Sequence, residues 1–171
     1  MRQFNPNTPQ THQIKPPNWF DIKRYKKMLK YWQGGDLLDI GSFGSNLPIL
    51  AKEKYPNSNV EAIDWFMGST EKKYDYITLG QVLEHTNCPK AILTLALRML
   101  KQNGVLALSV PLEETEKGEV DKEHHLWSFA KQDIIQLLKP YGKVKTKIIR
   151  SRYFPIYKYH FPHIIAYCKK I

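Results

Sequence analysis

Residues 36 to 46, Asp-Leu-Leu-Asp-Ile-Gly-Ser-Phe-Gly-Ser-Asn, constrain the fold of this chain more than any other stretch. The apolar run Leu37 to Ile40 reads as a short buried strand, after which Gly41 and Gly44 let the backbone turn tightly and approach a ligand. Ser45 or Asn46 can cap the helix that follows, with Pro48 tolerated in its first turn. A strand, a glycine turn and a helix N-terminus in this order make a nucleotide-type site. Asp39 then restricts the ligand. A carboxylate at the strand's end would repel a pyrophosphate seated on the helix N-terminus, whereas a positively charged amino-acid end without phosphate suits it. The alternative at this point is an acid that only binds local amides at an ordinary strand-to-turn junction.

Size and charge bound the rest. At 171 residues, 42% of them hydrophobic, the chain can build one sheet covered by helices on both faces, with no second core to spare. No run approaches the length of a membrane span and Met1 to Lys15 lacks an apolar signal core, so a soluble, cytoplasmic protein is expected. Cys88 and Cys168 have no metal-like spacing and read as free thiols in a reducing compartment. The net charge of +10 is uneven: residues 1 to 35 carry seven Lys or Arg against one acid, and residues 139 to 171 carry nine against none. If these ends lie side by side they form a positive surface able to attract nucleic acid or another anion; otherwise they are a solvated surface.

Along the chain, Pro6, Pro9, Pro16 and Pro17 mark residues 1–17 as an arm ahead of one domain over 18–171. Trp19, Phe20, Ile22, Tyr25, Met28, Leu29 and Trp32 recur at helical spacing, with Lys23, Arg24, Lys26, Lys27 and Lys30 between them. This predicts an amphipathic helix with a basic outer face, ending at Gly34-Gly35. Leu47 to Tyr55 makes a helix stopped by Pro56, and Val60 to Ile63 a strand ending in Asp64. An acid about twenty residues beyond a glycine turn, at the end of the next strand, can accept both hydroxyls of a ribose, or can simply cap a turn. Trp65 can stack on an adenine or join the core. Further on come a helix over Lys90 to Leu100 led by Asn87 as cap, a strand over Val105 to Val110, and an acidic loop to Glu123. A helix over Ala130 to Leu138 capped by Ser128 follows, then strands over Val144 to Ile149 and His163 to Cys168 flanking an aromatic loop with Tyr153, Phe154, Tyr157, Tyr159 and Phe161.

Two stretches carry a family resemblance. Asp39 with Gly41, Ser42, Phe43 and Gly44 is similar to the acid-x-Gly-x-Gly-x-Gly motif of class I methyltransferases dependent on S-adenosylmethionine (SAM). Phe43 and Ser45 replace the second and third glycines, and Gly44 is an extra one. Lys73 to His85, ending Gly80-Gln81-Val82-Leu83-Glu84-His85, resembles the Phe-Asp-x-Val-x-x-x-x-Val-Leu-Glu-His pattern of methyltransferases of the type 11 and ubiquinone-biosynthesis kind. Lys101-Gln102-Asn103-Gly104 stands where that family turns with Lys-Pro-Gly-Gly, and His124-His125-Leu126-Trp127-Ser128-Phe129 resembles its His-x-x-x-Phe-Ser segment.

The resemblance implies an α/β fold: a Rossmann-like doubly wound sheet of order 2-1-4-5-7-6, mostly parallel, with a C-terminal antiparallel hairpin. Only the ten residues Trp65 to Tyr74 separate Asp64 from the next strand, too few for the helix and strand usual there, so the third strand is expected to be absent. It also implies SAM as cofactor, its methionine end held by Asp39 and the Gly41 to Gly44 backbone, its ribose by Asp64 beside Trp65, and its sulfur over Gly80 and Gln81. His124, His125 and His85, with Glu84 behind, are the candidate general bases. No Asn-Pro-Pro-Tyr, Asp-Pro-Pro-Tyr or Pro-Cys motif for base methylation occurs, so a small-molecule or glycan hydroxyl is the expected acceptor. No His-Glu-x-x-His spacing calls for a metal, and none is expected. The alternative is a degenerate member binding nucleic acid or a protein without catalysis; the cut-back sheet edge also makes a homodimer an expectation.

Overall fold

The computed structural model describes residues 19–42, 45–64, 71–112, 125–150 and 162–171. The arm over 1–17, Phe43, Gly44, Trp65, His124, the acidic loop through Glu123 and the aromatic loop from Tyr153 to Phe161 lie outside the described residues. The elements are α1 (Trp19–Met28), β1 (Asp36–Ile40), α2 (Leu47–Lys54), β2 (Asn59–Ile63), β3 (Tyr74–Gly80), α3 (Pro89–Met99), β4 (Leu100–Pro111), α4 (Lys131–Leu138), β5 (Gly142–Ile149) and β6 (His163–Lys170). Among the described residues no helix is long and apolar enough to cross a membrane.

One six-stranded sheet runs β2-β1-β3-β4-β6-β5. β1 to β4 are parallel, and β6 inserts antiparallel between β4 and β5. This is the order the sequence implies. β3, next in the chain after β2, pairs on the far side of β1, and among the described residues no strand lies outside β2. β1 is buried from Leu37 to Ile40 because both its faces are covered. Leu38, Ile40, Ile77, Leu79, Leu106 and Leu108 pack toward α3 and α4, while Leu37, Tyr76, Ala107, Ile165 and Tyr167 pack toward α1 and α2.

α1 holds its place by apolar and polar contacts together. Phe20, Tyr25 and Met28 are buried, the Tyr76 hydroxyl donates to the Met28 carbonyl at 2.5 Å, and the Tyr167 hydroxyl donates to that of Lys27. After a 3-10 turn over Leu29–Tyr31 the chain reverses through Gly34 and Gly35, both at positive φ. At the amino edge of the sheet Lys101 donates to Asp36 and Asp75, each at 3.0 Å, and Lys72 pairs with Glu61. These lysines hold the carboxyls of Asp36 and Glu61 below the usual carboxylate range. On the edge strand β5, Lys143, Lys145 and Lys147 alternate outward into solvent, which accounts for part of the basic C-terminal charge as protection of a free edge.

Four local expectations are corrected. Lys101 to Gly104 is not a turn ahead of the strand but a bulge within β4. Tyr74 and Tyr76 pair with Leu100 and Val105, and Asn103 takes φ 63° to absorb the extra residues. Cys88 rather than Asn87 is the residue preceding α3, and no side chain caps that helix. Ser128 does not cap α4; the Ala130 amide donates instead to Asp133 Oδ2 at 2.8 Å, because the acid in the first turn reaches back. Arg24 is not on the basic outer face of α1: it lies four residues from both Phe20 and Met28, on the buried stripe, and is 7% exposed.

Removing the Tyr76 hydroxyl deprives the buried Met28 carbonyl of its donor. Tyr76→Phe is expected to lower stability by about 1–2 kcal/mol with the fold retained. A urea midpoint unchanged from wild type would show that this tether contributes nothing.

Candidate functional site

The parallel strands β1, β2, β3 and β4 end on one edge, at Ile40, Ile63, Gly80 and Pro111. There Gly41 turns at φ 75° and its amide donates to the Ile63 carbonyl at 2.7 Å, tying the ends of β1 and β2. A Cβ on Gly41 would stand 2.4 Å from Val82 Cγ2, so both conformation and space demand glycine. Half-buried Ser42 follows, its carbonyl accepting from the Ser45 amide, and Ser45 Oγ accepts the Leu47 amide at 3.1 Å. Of the two caps the sequence allowed, Ser45 makes the bond to the first turn of α2.

Asp39 is 2% exposed, on the sheet face that packs against α1. Across the β1–β3 pair the Thr78 hydroxyl donates to its Oδ1 at 2.6 Å, while Oδ2 is buried without a hydrogen-bond partner among the described residues. Burial pushes the carboxyl up to about 7, against the pull of the Thr78 and Ser45 hydroxyls and the Arg24 guanidinium. Arg24 itself pairs with Asp21 at 3.0 Å and donates to the Tyr25 hydroxyl, leaving Nε buried without a partner among the described residues. Arg24 is the residue that the sequence reading missed. Its place at helical spacing on the apolar stripe was the available signal.

Asp64 follows β2 directly and is half-buried; its Oδ1 is shielded from solvent and has no partner among the described residues. Gln81, at the end of β3, takes a left-handed φ of 62° fixed by its amide bond to the Ser109 carbonyl, and its Nε2 is likewise buried and unpaired among the described residues. Gly80 contributes only backbone here, since a side chain on it would point at Met28 Cε, 3.6 Å away beneath α1.

Beyond Gln81 the chain forms a 3-10 turn, Leu83–His85. The segment from His125 docks on it: the Leu126 and Trp127 amides donate to the Glu84 carbonyl at 2.7 and 3.2 Å, and Trp127 Nε1 donates to the Thr86 carbonyl at 2.7 Å. His85 and His125 meet edge to face, ring centres 4.9 Å apart, over a fully buried Glu84. Two of the three candidate histidines are thus together. A separate cleft of about 610 Å³ between the start of α3 and α4 is lined by Pro89, Trp127, Phe129 and Tyr141, and by none of the candidate cofactor residues among the described residues.

A sheet of order β2-β1-β3-β4-β6-β5, parallel except for β6, with a glycine turn after β1, has the class I methyltransferase architecture. A family model described as a methyltransferase domain matches residues 19–144, and the chain belongs to that family. No curated protein sequence matches it. Among solved structures, coclaurine N-methyltransferase bound to N-methylheliamine and S-adenosylhomocysteine (SAH) superimposes with a TM-score of 0.62 at 15% identity, over 76% of this chain and 50% of that one. This chain therefore spans half the length of that neighbour. The N-methyltransferase NodS from Bradyrhizobium japonicum, in complex with SAH, gives 0.62 at 15% identity over 90% and 88%. A SAM-dependent methyltransferase from Thermotoga maritima, described as a possible histamine N-methyltransferase, gives 0.62 at 12% identity over 89% of each chain.

Two outcomes test this geometry. Gly41→Ala should destabilise the fold and Val82→Ala in the same chain should recover part of the loss; equal melting curves for Gly41→Ala and wild type would contradict the close approach. For Asp39 the folded pKa, about 7, lies above the reference 3.8, so its stabilising protonated form is complete below the lower value and is lost as pH rises through the upper one. Relative to Asp39→Asn, the wild type should lose a few kcal/mol between about pH 4 and 8 in denaturant titrations. A pH-independent difference between the two proteins would contradict the shift.

Proposed function

We propose that this chain transfers a methyl group from SAM to a hydroxyl of a small molecule or glycan at the carboxyl edge of β1 to β4. The observation that carries the reading is the set of buried atoms without a partner among the described residues at three neighbouring strand ends: Asp39 Oδ2, Asp64 Oδ1 and Gln81 Nε2. Each costs about 1–3 kcal/mol while unpaired, so the edge is built to be completed by a polar ligand. The donor set fits SAM. Asp39 suits an ammonium, Asp64 a ribose diol and the Gln81 amide an acceptor atom, while Arg24 Nε offers the opposite charge that a methionine carboxylate needs.

When bound, SAM supplies an electrophilic methyl, whose bond to sulfur breaks as the bond to the acceptor oxygen forms and the acceptor's proton is released. The chain's own work is to hold the acceptor in line and handle that proton. Glu84, His85 and His125 supply the groups for it, one 3-10 turn from Gln81. They favour a hydroxyl over an amine, since a neutral amine is nucleophilic without help whereas a hydroxyl must lose its proton. The small-molecule class is supported by the N-methylheliamine bound to one structural neighbour.

Calorimetric titration with SAM and SAH tests the site. Wild type should bind both one to one, and Asp39→Ala and Asp64→Ala should abolish binding. Arg24→Ala should weaken SAM at least ~10-fold but leave decarboxylated SAM nearly unaffected, about 1.4 kcal/mol being one such factor. Affinity should rise with pH up to about 7, as Asp39 ionises. Absence of any SAM binding would sink the reading.

A further inference from the structure

We infer that Glu84, His85 and His125 form a site for one divalent transition-metal ion on the acceptor side of the cofactor turn. One ligand atom from each residue lies within 4.8 Å of the others. Donors about 2.1 Å from a common ion stand no more than ~4.2 Å apart, so small side-chain rotations close the set. Two imidazoles and a carboxylate are a borderline donor set that binds first-row ions and leaves coordination positions open.

The backbone is built to keep this trio together. His125 is forty residues from His85 in sequence, yet its segment is fixed by the amides of Leu126 and Trp127 on the Glu84 carbonyl and by Trp127 Nε1 on that of Thr86. The His85 amide closes the turn on the Val82 carbonyl at 3.0 Å. These bonds fix the two backbone segments that carry the three side chains next to each other. Burial is graded across the set: Glu84 has no exposure, His125 is half-buried and His85 is exposed. A carboxylate buried this deeply is stabilised by a cation beside it. An ion here would be anchored from inside and open to solvent on its outer side.

The position gives the ion a use. Val82, two residues before Glu84, is the side chain that crowds Gly41, so the trio stands next to the cofactor turn. An acceptor carrying adjacent oxygens could occupy the open positions, where the ion would orient it and ease loss of its proton in place of the imidazoles, whose ligating nitrogens are then engaged. That use rests on the methyl-transfer reading; metal binding itself does not.

The test uses the full, tag-free chain, treated with chelator and dialysed, then titrated with Co²⁺ in the absence of SAM. Wild type should show saturable visible absorption at one ion per chain, displaced by equimolar Zn²⁺. His85→Ala, at an exposed position, and His125→Ala should each weaken Co²⁺ at least ~100-fold while circular dichroism stays unchanged. No saturable binding, or equal binding by both variants and wild type, overturns the site and leaves the trio held by a shared proton. SAM titration of the same metal-free protein separates the two proposals: SAM binding without Co²⁺ binding removes the metal alone, and the reverse removes the methyl-transfer reading alone.

Discussion

A carboxylate buried in the middle of the sheet is the constraint around which the carboxyl edge is arranged. Asp39 cannot be solvated, so its charge is tolerable only where neighbours supply hydrogen bonds and positive potential. Thr78 does the first from the paired strand, and Arg24 the second from the helix above. This explains why α1 is fastened so firmly, with tyrosines from β3 and β6 gripping its last turn. If α1 lifted, Arg24 would leave with it. The turn at Gly41 then fixes how far the chain may stray before α2 begins, and Val82 closes the space behind it. One ionisable group thereby ties α1, through Arg24, to β1 and to its neighbour β3 through Thr78.

The two edges of the sheet divide the labour. At the amino edge every prominent charge is answered: Lys101 bridges Asp36 and Asp75, and Lys72 meets Glu61. At the carboxyl edge Asp39, Asp64, Gln81 and Arg24 each keep an atom buried and unanswered among the described residues. Self-sufficient polar groups stabilise a fold, whereas incomplete ones raise its free energy until a ligand completes them. The contrast is what singles out the carboxyl edge as the proposed binding edge.

What the sequence made legible was local or countable. Apolar runs marked β1, β3 and β4, helical spacing marked α1, and the short Trp65 to Tyr74 interval led to the expectation of no further strand there, none lying outside β2 among the described residues. Asp39 and Gly41 stood out as candidates because they sit where an apolar run meets a turn, and Gln81 because its stretch resembles a family motif. Other features depended on tertiary placement. Nothing near His85 announces His125, because only the return of the chain over the 3-10 turn brings them together. Arg24 read as a surface cation among other surface cations, and its burial follows from which face of α1 meets Asp39. The bulge after Leu100 was hidden for a similar reason, since the register that requires it is set by β3.

The placement of β6 has a consequence for the order in which the molecule can be put together. β5 precedes β6 in the chain yet among the described residues pairs only with it, and β4 has β6 as its partner on that side. Until β6 emerges, β5 is without a neighbour and the flank of β4 is an open row of amides and carbonyls. The sheet therefore cannot grow outward strand by strand as the chain is made; a late insertion seals two open rows at once. An intermediate waiting for that step is a template for intermolecular pairing. The alternating lysines of β5 then act before the native state exists, since like charges on the waiting strand repel a second copy at the stage when pairing with it would be easiest.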